Sequence, residues 1–316
     1  MSEAVPPAEL SPPDIAPLRA GNTGVEYVTS FDSGEPGPHL LINAICHGNE
    51  LCGAIAVERL VRLGVRPLRG TLTLALANVA AFQRFDPAQP LASRCVEEDF
   101  NRVWSDAVLD GGGDSVELRR ARALRPIYRR ADALLDLHSM TSAGEPLTLC
   151  GRTGRAMALA RALGAPRWVV ADSGHAAGRR LIEYGDFAAP DAESGKVAVL
   201  VECGQHSEPA AAELAFALCL RFLRHFGLIA PEAAATPAPA PQIVVEVTEA
   251  VTAATDGFVF ATDYPGMAVV PRAGTIIGYE GGLPLRTPYD QCVLIMPARK
   301  VRRGQTVVRL GRVVAP

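Results

Sequence analysis

Ala44-Ile45-Cys46-His47-Gly48-Asn49-Glu50 separates a nearly continuous apolar run, residues 40–45, from a helical pattern that begins near Leu51. An apolar run without alternation reads as a strand buried on both faces, and the Gly/Asn turn ends it. Strand, turn and helix in that order open a layered α/β fold. The turn also carries chemistry, because a histidine and a carboxylate three residues apart have the spacing of two ligands on one metal ion.

Working outward, residues 25–31 alternate well enough for a strand and 33–38 supply a turn. Residues 1–20 are rich in proline and are expected to form an N-terminal arm. Apolar residues recur at helical spacing over 51–63, with Arg59 and Arg62 among the exposed positions. A second buried strand is expected at 70–77. The polar stretch 80–104, with Pro87 and Pro90, reads as a long loop, and long ordered loops in compact domains are often functional. A charged helix over 115–130 follows, then a strand over 133–137 that delivers His138 at its carboxyl end. A strand at 147–150, a helix over 155–163 and strands at 168–171 and 197–201 complete the alternation, and Ser207 is placed to cap a last helix over 211–226.

The expected fold class over residues 21–230 is therefore α/β, a mainly parallel or mixed sheet flanked by helices. Residues 231–242, almost wholly Ala and Pro, read as a semi-rigid linker. The remainder, 243–316, has short β-rich runs at 243–247, 258–261 and 293–296 among glycines and prolines, which predicts a small barrel or sandwich.

Composition bounds the partners. The chain has 316 residues, about half of them apolar, and a formal net charge of −3, with no basic stripe for nucleic acid and no run long enough to span a membrane. A small molecule or short peptide is the expected substrate, and self-association is left open. Seven cysteines are scattered without close CxxC pairs, which suits reduced, buried thiols and a cytoplasmic location. The N-terminus lacks the basic start and apolar core of a signal peptide.

His47 and Glu50 follow one predicted strand and His138 another. The carboxyl ends of strands in an open α/β sheet share one edge, so ligands distant in sequence can converge there. Two imidazoles and one carboxylate leave a fourth zinc position open, as a catalytic site requires. Glu202 ends a third apolar strand and is placed to move a proton between an attacking water and a leaving nitrogen. Arg94, Asn101 and Arg102 lie in the long loop, and an arginine fork suits a carboxylate. Taken singly, each of these residues has an ordinary reading as a core or surface side chain; together at strand ends they read as a site.

The ordered set His47-Gly48-Asn49-Glu50, Asp99-Phe100-Asn101-Arg102, Asp136-Leu137-His138 and Glu202-Cys203-Gly204 resembles the succinylglutamate desuccinylase/aspartoacylase family, relatives of the zinc carboxypeptidases. The resemblance covers most of residues 39–228. It implies one zinc per chain held by His47, Glu50 and His138, with Glu202 as general acid/base and Arg94 polarising the scissile carbonyl. It also implies that Asn101 and Arg102 hold a substrate carboxylate. Two family features are missing: the segment 191–196 has no arginine for a second substrate carboxylate, and Val301 stands about where a substrate-binding tyrosine is expected.

The expected function is a zinc-dependent amidohydrolase that cleaves an N-acyl amino acid or a related small amide or ester. The alternatives are a carboxypeptidase-like enzyme on a short or cell-wall peptide, and a non-catalytic binding protein on the same scaffold. Weaker candidates are Arg179, Arg180 and Tyr184 as a mobile substrate loop, with a solvated loop as the simpler reading. His175 has a possible place beside the site, while His206 is expected in an exposed turn. Tyr264, Tyr279 and Tyr289 are expected to pack within the β-rich part.

Overall fold

The computed structural model describes residues 10–175, 177–191, 193–230 and 241–314. Positions 1–9 of the expected arm and 231–240 of the expected linker lie outside the described residues. In chain order the strands are β1 (Val28–Asp32), β2 (His39–Ala44), β3 (Thr71–Leu76), β4 (Ala133–Met140), β5 (Leu147–Cys150), β6 (Trp168–Ala171) and β7 (Val197–Gln205). They continue with β8 (Ile243–Thr252), β9 (Val259–Phe260), β10 (Ala268–Val270), β11 (Ile276–Glu280), β12 (Leu283–Arg286), β13 (Cys292–Ile295) and β14 (Thr306–Val313). The longer helices are α1 (Leu51–Arg62), α2 (Val116–Tyr128), α3 (Gly154–Ala162) and α4 (Pro209–His225).

One mixed sheet runs in the order β1-β3-β2-β4-β7-β5-β6-β8-β14-β13-β10, and β12-β11-β9 form a second, small sheet. At the centre β3, β2, β4 and β7 are parallel, while β1 and β5 join antiparallel. The expected α/β class and β-rich C-terminal part are both present. Every residue of β4 and β7 is buried, as continuous apolar strands covered on both faces should be. One face packs against apolar residues of α1, α3 and α4. The other packs against α2 and against Phe100, Val103 and Trp104 of the long loop. Full burial of side chains such as Leu40, Leu41 and Ile42 stabilises the fold by roughly 1.5–3 kcal/mol each.

Beyond the Ala/Pro stretch the sheet runs on. Strand β8 lies parallel to β6, with Trp168 opposite Ile243 and Val170 opposite Val245, and β14 pairs antiparallel with β8. Val245, Val247, Val293 and Ile295 share one apolar cluster with Leu134, Leu200 and Trp168. The C-terminal strands are thus packed into the core that carries the site.

Two element ends differ from expectation. Strands β4 and β7 run to Met140 and Gln205, so His138 and Glu202 lie within strands, directly opposite each other in register. Apolar patterning stops at these polar residues, but the backbone ladder does not depend on side chains and continues. Helix α4 begins with Pro209, and the Ser207 hydroxyl is bonded to Gln205 Oε1 instead of capping the helix. Within 80–104 there are single turns at Val79–Phe82, Pro90–Ser93 and Phe100–Arg102.

Candidate active site

Strand β2 ends at Ala44, and Ile45 then adopts φ 59°. A β-branched residue in the left-handed region is strained, at about 1–3 kcal/mol, and the surrounding packing must hold it there. The bend turns His47 toward the adjacent strand β4. Gly48 is fixed by space: a Cβ there would lie 2.3 Å from both the Ala81 carbonyl carbon and the Ser93 oxygen. Its N–H donates to the Arg94 carbonyl at 3.1 Å, so the turn and the Arg94 loop are one packed unit.

The structure brings His47, Glu50 and His138 together. Their side chains are almost fully buried. Nδ1 of His47 lies 2.8 Å from Glu50 Oε1, and Nδ1 of His138 lies 3.0 Å from Glu50 Oε2. On the opposite side of each ring, Nε2 of His47 meets Asp99 Oδ1 at 2.9 Å and Nε2 of His138 lies 3.0 Å from Asp136 Oδ2. A carboxylate stands beside the outer nitrogen of each ring, and both inner nitrogens face Glu50, an arrangement like that of metal-bound histidines. Among the described residues, Glu202 Oε2 and both polar atoms of Asn49 are buried without a hydrogen-bond partner. A buried carboxylate oxygen left so requires a partner, and a cation held by the neighbouring imidazoles and Glu50 would supply one for Glu202. The donor set fits zinc on these grounds.

Cys46 was not expected at the site. Among the described residues, the ligand atoms of Cys46, His47 and His138 lie within 4.8 Å of one another and could hold a metal ion. Burial pushes the Cys46 thiol up to about 12, and the side chain also belongs to the apolar cluster with Leu41, Ala77 and Phe100.

The outer carboxylates are themselves held. Tyr128 Oη donates to Asn43 Oδ1 at 2.5 Å, Asn43 Nδ2 donates to Asp136 Oδ1 at 2.7 Å, and Asp136 reaches His138. Asp99 accepts from Arg94 Nη2 at 3.0 Å and caps the Phe100–Arg102 turn through the Asn101 N–H. Burial opposes charge on Asp99, but the His47 hydrogen bond, the His47 charge and the Arg94 guanidinium outweigh it and hold its carboxyl well below the usual range. Glu117 of α2, fully buried, accepts the backbone N–H groups of Val96, Glu97 and Glu98 and so anchors the loop between Arg94 and Asp99. Sequence reasoning missed these supporting roles. For Asp136 a signal existed, since residues two apart on a strand share a face.

Glu202 sits opposite His138 on the neighbouring strand, which puts the two side chains on the same face. Burial pushes its carboxyl up to about 7; the charge of His138 opposes this and that of Glu50 adds to it. A carboxyl near neutrality can both take and give a proton.

Arg102 donates Nη1 to the Asn101 carbonyl at 2.7 Å and forms no ion pair among the described residues. Asn101 is committed otherwise: its Oδ1 accepts the Leu181 N–H at 2.9 Å, leaving only its amide NH2 for a ligand. Arg180 and Tyr184 do not form a solvated loop. Arg180 is buried against Asp172 and Glu183, and the Tyr184 hydroxyl donates to Asp106 at 2.9 Å, while Arg179 is exposed. His206 is buried, not exposed, with Nδ1 2.8 Å from Ser139 Oγ and Nε2 3.2 Å from Thr141 Oγ1. A hollow of about 190 Å³ lies between residues 140–145 of the β4 loop and Tyr264, Gly266 and Met296 of the C-terminal part.

The catalytic-domain model of the succinylglutamate desuccinylase/aspartoacylase family matches residues 36–225. Among solved structures, the chain is similar to succinylglutamate desuccinylase from Vibrio cholerae, at 18% identity and a TM-score of 0.71, over 92% of this chain and 86% of that one. It is also similar to a succinylglutamate desuccinylase/aspartoacylase from Rhodobacter sphaeroides, at 21% identity and a TM-score of 0.65, over 92% and 88%. The product-bound ectoine utilization protein EutE (DoeB) from Ruegeria pomeroyi is similar at 18% identity and a TM-score of 0.64, over 93% of each chain. At such identities the likeness is one of fold. No curated protein matches the chain.

Proposed function

The chain belongs to the succinylglutamate desuccinylase/aspartoacylase family, and on that premise we propose that it is a zinc-dependent hydrolase cleaving the amide of an N-acyl amino acid or a related small amide or ester. The observation that carries the reading is the pair of buried imidazoles whose inner nitrogens both face Glu50 while their outer nitrogens face carboxylates. His47, Glu50 and His138 would hold the metal. Glu50 is preferred to Cys46 as third ligand, since its two oxygens lie within 3.0 Å of the inner nitrogens, whereas the Cys46 side chain packs in the apolar cluster with Leu41, Ala77 and Phe100. Zinc bound there would lower the pKa of a water toward neutrality and polarise the scissile carbonyl.

The chain's own residues then divide the work. Glu202 takes a proton from the attacking water and returns it to the leaving nitrogen, a role suited to a carboxyl raised to about 7. Arg94, held by Asp99 at 3.0 Å, presents a fixed positive charge to the developing oxyanion. Arg102, half-buried and without an ion pair among the described residues, binds the substrate carboxylate, with the Asn101 amide NH2 beside it.

The test is a panel of N-acyl amino acids incubated with zinc-loaded protein, read as release of free amine. Turnover of at least one member above a Glu202→Gln control is expected. Release that is the same with wild type and control across the panel would overturn the reading.

A further inference from the structure

The C-terminal strands have no part in the chemistry above, yet an arginine of theirs pairs with an acid of the catalytic half. Arg309 of β14 brings Nε to 3.1 Å from Asp172 Oδ2. Asp172 stands just past the end of β6, and the same oxygen receives Nη1 of Arg180 at 3.0 Å. Asp172 and Arg180 are almost fully buried, and the Arg309 side chain is 13% exposed. Glu183 adds three bonds to Arg180, accepting its backbone N–H at 2.9 Å, its Nε at 3.0 Å and also its Nη2.

From Arg180 the contacts lead to the loop that carries Arg102. The next residue, Leu181, donates its N–H to Asn101 Oδ1. The preceding residue, Arg179, bridges to Val103 and accepts the Trp104 N–H at 3.3 Å. Gly178 has φ +137°, and a Cβ there would lie 2.4 Å from the Arg102 carbonyl oxygen, so backbone lies directly on backbone. Segment 178–181 is therefore pressed against 101–104 on one side and tied through Asp172 to β14 on the other. His175, near the start of the segment, is held down to about 4 by burial and then by the charges of Arg102, Arg309 and Arg180.

We propose that Arg309 is a positioning residue for substrate recognition: through Asp172 and Arg180 it fixes segment 178–181, and through that segment the Asn101-Arg102 pair. The C-terminal strands thereby set the geometry of carboxylate binding through Arg309. This rests on the reading of Asn101 and Arg102 as the carboxylate-binding pair. Removing Arg309 leaves Asp172 paired with Arg180 alone and releases the whole segment from β14.

The experiment compares wild type, Arg309→Gln and Arg309→Lys on a turned-over N-acyl amino acid and on its carboxamide. Arg309→Gln should raise KM for the acid by roughly tenfold with kcat within about twofold, leave the carboxamide nearly unaffected, and be partly rescued by lysine. In the Arg102→Ala background the same substitution should add nothing, because a residue acting through Arg102 has no further effect once it is gone. Amide exchange should quicken over 99–104 and 178–185 in Arg309→Gln at an unchanged melting temperature. Equal losses on acid and carboxamide, additive losses with Arg102→Ala, or unchanged exchange in both segments would each overturn the proposal. If wild type turns over no acyl amino acid, the functional reading fails separately and the exchange measurement still decides the relay.

Discussion

Glu202 differs from the three proposed ligands in what it faces. It stands opposite His138 in register, yet Oε2 has no hydrogen-bond partner among the described residues and its carboxyl is pushed up to about 7 by burial. Glu202→Gln should therefore keep bound zinc and fold while turnover falls by roughly 10²-fold or more, checked by metal analysis beside steady-state rates. His206 gives a second expectation, concerning stability. Burial holds its imidazole down to about 4, so between the unfolded value near 6.5 and that value the unfolded chain binds the extra proton. Its contribution is present above pH 6.5 and is lost as pH falls toward 4. Urea unfolding at pH 7 and pH 4.5 should show wild type losing roughly 2 kcal/mol more than His206→Gln on acidification. These residues also mark what the sequence discloses. His47, Glu50, His138 and Glu202 are legible because each interrupts an apolar run with a group that has no place in a core. The duties of Asp99 and Glu117 are not, because both depend on which loop backbone folds beside them.

At the scale of elements, the turn after β2 and the loop carrying Arg94 meet at Gly48. A methyl group there has nowhere to go, since backbone atoms of Ala81, Phe82 and Ser93 lie within 2.5 Å of its position. Gly48→Ala should cost roughly 1–3 kcal/mol and shift the Arg94 loop, visible as a lower melting temperature together with reduced turnover. An unchanged melting temperature would show that the turn and loop are not packed as described. Central strands and long helices are readable from apolar period alone, and 168–171 matches β6 end to end. Their polar ends are not: β4 continues three residues beyond Leu137 because the ladder to β7 persists where hydrophobicity stops. Likewise the buried state of Arg180 and Tyr184 follows from the partners Asp172, Glu183 and Asp106, which no local pattern announces.

At the scale of the whole molecule, β8 is both the first strand after the Ala/Pro stretch and the neighbour of β6. A change in composition suggests a boundary there, but composition cannot tell whether the next strand starts a new sheet or extends the old one. A fragment ending at residue 230 would expose the β6 edge, strip Val245, Val247, Met267, Val293 and Ile295 from an apolar cluster and lose Arg309. It should be insoluble or fail to unfold cooperatively, whereas a soluble, cooperative fragment would mean that the catalytic half is self-sufficient. The measurement that bears most directly on the account is zinc content per chain in wild type, His47→Ala, His138→Ala and Cys46→Ala. About one zinc in wild type and in Cys46→Ala, with almost none in either histidine variant, is the predicted result. Full occupancy in both histidine variants would contradict it.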